Sequence, residues 1–93
     1  MPLFVKFGTL KTDIKDTDLQ VIDKKFVRWL KDISATGKYV ASGGFDSREK
    51  GMTVLEADSK EEAMALFEED PFNKLLSSWN VQQWNIVNTN KKV

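Results

Sequence analysis

The run Asp70-Pro71-Phe72 is the part of this chain best suited to chemistry. Glu68 and Glu69 precede it, so three acids crowd the end of a helical stretch. The helix dipole disfavours negative charge there by about 0.3–1 kcal/mol each. A local rule broken in this way marks a functional site in some proteins, with Asp70 as the candidate catalytic carboxylate. The same residue also suits a structural task. An aspartate at an N-cap followed by proline at the first helical position is a routine start for a new turn, here Pro71–Lys74. Both roles are open on the residues alone.

Few partners for such a carboxylate exist. The chain has no cysteine and no histidine. That excludes disulfides, thiolate nucleophiles and zinc–thiolate sites, and it excludes a Ser-His-Asp or Cys-His relay in one chain or in a pair of copies. Asp13, Asp16 and Asp18 lack the spacing of a calcium loop, so no metal site is expected. Ser42-Gly43-Gly44 lets a ligand approach the backbone at a strand end, or simply bends the strand. It lacks the spacing of a phosphate-binding loop, and no cofactor is expected. Lys24, Arg28 and Lys31 form a basic stripe and Glu61, Glu62, Glu68 and Glu69 an acidic one, both read as solvated faces whose pairs contribute little. Trp29, Trp79 and Trp84 suit a core or an interface, and an aromatic-lined pocket between helices and sheet is an alternative use.

The elements that must position these residues follow from periodicity. Leu3 to Gly8 alternates as a strand, with Leu3, Val5 and Phe7 against Phe4 and Lys6. A polar loop leads to Thr17, which with Gln20 reads as a capping box. The helix it starts runs to about Ala35, with Gly37 as its C′ residue and Leu19, Ile22, Phe26, Trp29, Leu30 and Ile33 as its apolar stripe. Lys38–Phe45 and Met52–Ala57 form a hairpin. Ser59, with Glu62 at the box position, caps a second helix whose buried edge is Ala63, Leu66 and Phe67. Pro71 ends that helix, because the residue before a proline is pushed out of the helical region. Trp79 to Val87 reads as the last strand, and Asn88 onward as a tail that frays.

Ninety-three residues make one domain with a thin core, and 41% apolar and 11% aromatic residues place it among globular proteins. The order strand, helix, strand, strand, helix, strand gives an α+β fold: a four-stranded antiparallel sheet with both helices on one face, the ferredoxin-like arrangement. Apolar side chains occupy both faces of the strands, and two helices cover only one. A homodimer packed sheet face to sheet face is the simplest cover, with a monomer covered by its own loop or tail as the alternative. Fourteen basic and fourteen acidic residues cancel, giving no electrostatic reason to expect nucleic acid or a membrane as partner. The apolar start MPLFVKFG is too short for a signal peptide or a membrane span, and a cytoplasmic location is expected.

The run from Gly37 through Gly43-Gly44-Phe45, Gly51 and TVLEAD, then SKEEAMALFEEDPF and Val81 to Trp84, resembles the YCII-related family over nearly the whole chain. The resemblance implies dimeric α+β barrels and a pocket between the first helix and the sheet. It further implies a catalytic pair: a histidine on the first helix and the aspartate of the Asp-Pro-aromatic motif. Some relatives are implicated in lyase-type or dehydrochlorinating steps on small aromatic compounds. Asp70 matches the aspartate, whereas Phe26 stands where the histidine is expected. The leading expectation is therefore a non-catalytic member that binds a small apolar or aromatic molecule through Phe26, Trp29, Ser42 and Phe72. The alternatives are an enzyme that pairs Asp70 with Ser42 or a lysine for proton transfer or elimination, and a structural domain with a filled pocket.

Overall fold

The computed structural model describes residues 2–47 and 49–89. Its elements run β1 (Leu3–Leu10), α1 (Asp16–Ser34), β2 (Tyr39–Gly44), β3 (Lys50–Glu56), α2 (Lys60–Glu68), a 3₁₀ turn (Pro71–Leu75) and β4 (Leu76–Trp84). The sheet order is β2-β3-β1-β4, antiparallel throughout, which is the expected ferredoxin-like topology. The two central strands, β1 and β3, align Phe4 with Leu55, Lys6 with Thr53 and Gly8 with Gly51.

Alternation puts these three pairs on the face that the helices cover. There Phe4, Leu55, Ala57 and Val81 pack against Trp29 and Ile33 of α1 and Ala63 and Phe67 of α2. Both helical stripes thus serve as their spacing implied. The opposite face carries Val5 and Val54, both buried, with Phe7 and Trp84 each about 40% exposed. Asn80 and Gln82 of β4 lie on it as well, so its apolar centre has a polar margin.

Three boundaries differ from expectation. Helix α1 begins at Asp16, and the residue at its cap, Lys15, makes no side-chain cap bond. Thr17 lies inside the helix, so the Thr17–Gln20 box does not form. Asp16 and Asp18 in the first turn complement the helix dipole instead. Strand β1 continues two residues past Gly8, pairing Leu10 with Leu76. Strand β4 accordingly spans Leu76–Trp84 rather than 79–87. The 3₁₀ turn delivers the chain directly to Leu76, and β4 stops at Trp84 because its partner β1 begins at Leu3. Val87 is fully exposed. The last part of the tail, from Asn90, lies outside the described residues, as does Arg48 in the hairpin loop.

Ser59 caps α2 as expected, accepting a hydrogen bond of 3.1 Å from the Glu62 amide, while the Glu62 carboxylate pairs with Lys38. Ser59→Ala is expected to lower stability by about 1 kcal/mol, measured by chemical denaturation. No helix among the described residues is long and apolar enough to cross a membrane.

Candidate functional site

The centre of β1, the start of the 3₁₀ turn after α2 and the first half of α1 converge on a cavity of about 330 Å³ on the helix-covered face of the sheet. That is within the size range of small-molecule sites. Lys6 and Asp70 line it, and both are buried, at 3% and 5% exposure. Lys6 comes from the middle of a central strand, where strand alternation turns it under the helices. Asp70 is delivered from the other side by the break between α2 and the 3₁₀ turn.

The two charges meet directly. Lys6 Nζ donates to Asp70 Oδ2 at 2.7 Å and also to Asn73 Oδ1. Asp70 Oδ1 accepts the Phe72 amide at 2.8 Å, which caps the 3₁₀ turn. Asn73 is held in turn by its Nδ2, which donates to the Phe67 carbonyl at 2.9 Å. The Trp79 ring lies 4.8 Å from Lys6 Nζ, a cation–π distance. The cap and the buried carboxylate of Asp70 are therefore one arrangement: the turn fixes one carboxylate oxygen and the other holds a buried ammonium. A lysine is buried almost only when paired in this way. Burial lowers the Lys6 pKa, and the hydrogen bond and charge of Asp70 oppose that shift without cancelling it.

Aromatic rings close the α1 side. Phe26 meets Phe72 edge-on at 4.9 Å, and on its other side it stacks with Trp29 at 5.8 Å. Phe26 is packed between two rings, and the side-chain partner of Asp70 is Lys6, from a strand rather than from the helix. Asp70, Phe26, Ser42 and Phe72 all line the cavity, with the Ser42 hydroxyl 2.8 Å from the Tyr39 hydroxyl. Trp29 does not line it. It belongs to the core behind Phe26, because the helical spacing of 26 and 29 turns Trp29 toward Phe4 and Phe67.

A second feature of the cavity is not visible in the order of the residues. Gly8 pairs with Gly51, and Gly51 with Gly44, so three glycines lie side by side across β1, β3 and β2. All three line the cavity. At Gly8 an added Cβ would stand 2.8 Å from Leu76 Cδ1, so no side chain fits there unless Leu76 moves. The row leaves bare backbone beside the row Lys6–Thr53–Ser42, which shapes a flat slot with one polar edge. The signals were present but separate: a lysine in mid-strand at the same parity as Phe4, and glycines scattered at 8, 44 and 51.

Several solved proteins share this fold. A 5-chloro-2-hydroxyhydroquinone dehydrochlorinase from Burkholderia phenoliruptrix, in complex with 2,5-dihydroxybenzoquinone, matches with a TM-score of 0.65 at 23% identity. The match covers 89% of this chain and 93% of that one. A Nitrosomonas europaea protein, described provisionally as an antibiotic biosynthesis monooxygenase, matches with a TM-score of 0.66 at 9% identity over 95% of this chain and all of that one. The Agrobacterium tumefaciens protein Atu4242 gives 0.60 at 13% identity, over 91% and 92%. These identities establish a shared fold. No curated protein matches the chain. The model of the YCII-related domain matches residues 5–85, and the chain therefore belongs to the YCII-related family.

Proposed function

We propose that this protein is a homodimeric small-molecule-binding member of its family, taking a small, planar, largely apolar molecule in the slot above Gly8, Gly51 and Gly44. The observation that carries this reading is an open, mostly apolar cavity that the buried Lys6–Asp70 pair borders. Phe26 and Phe72 supply apolar walls, and bare backbone supplies a floor that a flat ring can approach. Lys6 and Ser42 are the groups that orient an oxygen on the ligand. The planar ligand of the Burkholderia fold neighbour is of the same general shape.

Binding is the first reading because the chain has no histidine to pair with Asp70, whose oxygens hold Lys6 and the Phe72 amide. An acid–base role for Asp70 is the second reading, and the 2.7 Å contact with an amine speaks for it. The dimer is proposed from the uncovered sheet face, where Phe7 and Trp84 flank buried Val5 and Val54.

The test combines sedimentation with a phenol titration followed by calorimetry. A dimer mass and saturable binding near one phenol per chain are expected. A monomer at high micromolar concentration removes the dimer, and heats that never saturate remove the binding site.

A further inference from the structure

Lys6 is the one buried lysine among the described residues, and it lines an apolar cavity with a carboxylate 2.7 Å from its nitrogen. Both members of the pair border the cavity, so a ligand there would meet the Lys6 nitrogen and the Asp70 carboxylate together. We propose that Lys6 is a carbonyl-capturing amine, forming a reversible imine with small aromatic aldehydes or ketones that enter the cavity, with Asp70 handling the protons. The proposal rests on the binding reading above and adds a covalent step to it.

The step balances within the residues present. The Lys6 ammonium gives a proton to Asp70 Oδ2, across the existing hydrogen bond. The freed amine attacks the carbonyl carbon, forming the C–N bond as the C=O π pair moves to oxygen, and a proton from nitrogen reaches that oxygen to give the carbinolamine. Asp70 returns its proton to the hydroxyl, the C–O bond breaks and water leaves, giving a protonated imine beside the Asp70 carboxylate.

Three local features suit this sequence. Burial weakens the charged form of Lys6, which brings the neutral amine within reach. In a low-dielectric site the charged and neutral forms of a lysine–aspartate pair lie closer in free energy than in water. The Trp79 face, 4.8 Å from the nitrogen, favours a cation there, and an iminium is one. Asn73 Oδ1 holds the amine when no carbonyl is present and accepts from the same nitrogen afterwards.

The probe is benzaldehyde with sodium cyanoborohydride at neutral pH, followed by proteolysis and mass mapping of the folded protein. Lys6 is expected to be alkylated at least about tenfold faster than the exposed Lys24 and Lys25. Asp70→Asn, which keeps a capping side chain, is expected to slow Lys6 by roughly 10²-fold and leave Lys24 unchanged. Excess phenol, which has no carbonyl, should protect Lys6 alone. Lys6 modified no faster than the surface lysines, or equally fast in Asp70→Asn, overturns the proposal. Phenol binding without Lys6 labelling removes the covalent step and leaves the pocket reading intact. Loss of both removes the pocket reading as well.

Discussion

Asp70→Ala is expected to destabilise the fold by about 3–5 kcal/mol at neutral pH. A helix cap alone accounts for about 1 kcal/mol. The remainder comes from Lys6, left with a buried charge whose surviving polar partner is the Asn73 side-chain oxygen. An upper limit applies to that part. Lys6 escapes the penalty by losing its proton, and neutralising a lysine at pH 7 costs about 4.6 kcal/mol from its ordinary pKa.

This gives the effect a definite pH dependence. The folded pKa of Lys6 is already below the unfolded value near 10.5, and loss of Asp70 lowers it further. The unfolded chain then binds the proton more tightly than the folded one. Stability therefore rises with pH between the folded value and about 10.5 in each protein, and the deficit of Asp70→Ala shrinks between the variant's folded value and the higher folded value of the native protein. Denaturant midpoints measured from pH 7 to 10 for both proteins test this. A deficit near 1 kcal/mol that does not vary with pH would assign Asp70 to capping alone. The double variant Lys6→Met/Asp70→Asn removes both charges and keeps a cap, and it should recover most of the lost stability.

The second large effect concerns the slot. Gly44→Val is expected to weaken phenol binding at least about tenfold, equivalent to ~1.4 kcal/mol, with little change in stability. Gly44 lies on an edge strand, and a Cβ there meets nothing closer than the Lys50 carbonyl oxygen at 3.8 Å. Its φ is not in the left-handed region, so valine introduces no backbone strain. A β-branched residue also suits a strand. The added methyl groups stand in the ligand's place, on the cavity side by alternation with Ser42. A calorimetric titration of the variant is the check, and unchanged affinity would put the ligand elsewhere.

The fold was legible because it rests on spacing. The stripe Ile22–Phe26–Trp29–Ile33, the Ser59 cap and the stop at Pro71 are each local signals, and the structure has all three. Capping signals are less secure when another device does the same work. Thr17 looked as good a cap as Ser59, but acids at 16 and 18 begin the helix without it. The length of β4 was not legible, since β1 determines where it can pair.

The site was half legible. Asp70 announced itself through Asp-Pro and the acids before it, Phe26 and Phe72 follow from the family resemblance, and Ser42 follows from its place beside two glycines at a strand end. Lys6 was hidden because a lysine in an alternating strand reads as the solvent side. Only the second layer of helices makes its face the inner one. The glycine row was hidden for a related reason, since positions 8, 44 and 51 become neighbours only through strand register. Trp29 was misplaced by one face of a helix: its spacing suits the stripe, but the stripe is wider than the cavity and Trp29 belongs to its core half.

In the proposed complex a ligand lies between Phe26, the glycine row and the Lys6–Asp70 pair. The most direct measurement is a two-dimensional amide NMR titration of the protein with phenol. Saturable shifts are expected at Gly8, Gly44, Gly51 and Phe72, and in Gly44→Val those at Gly8, Gly51 and Phe72 should need at least about tenfold more phenol. Shifts confined to the open sheet face around Phe7 and Trp84, or no saturable shift at all, would contradict it.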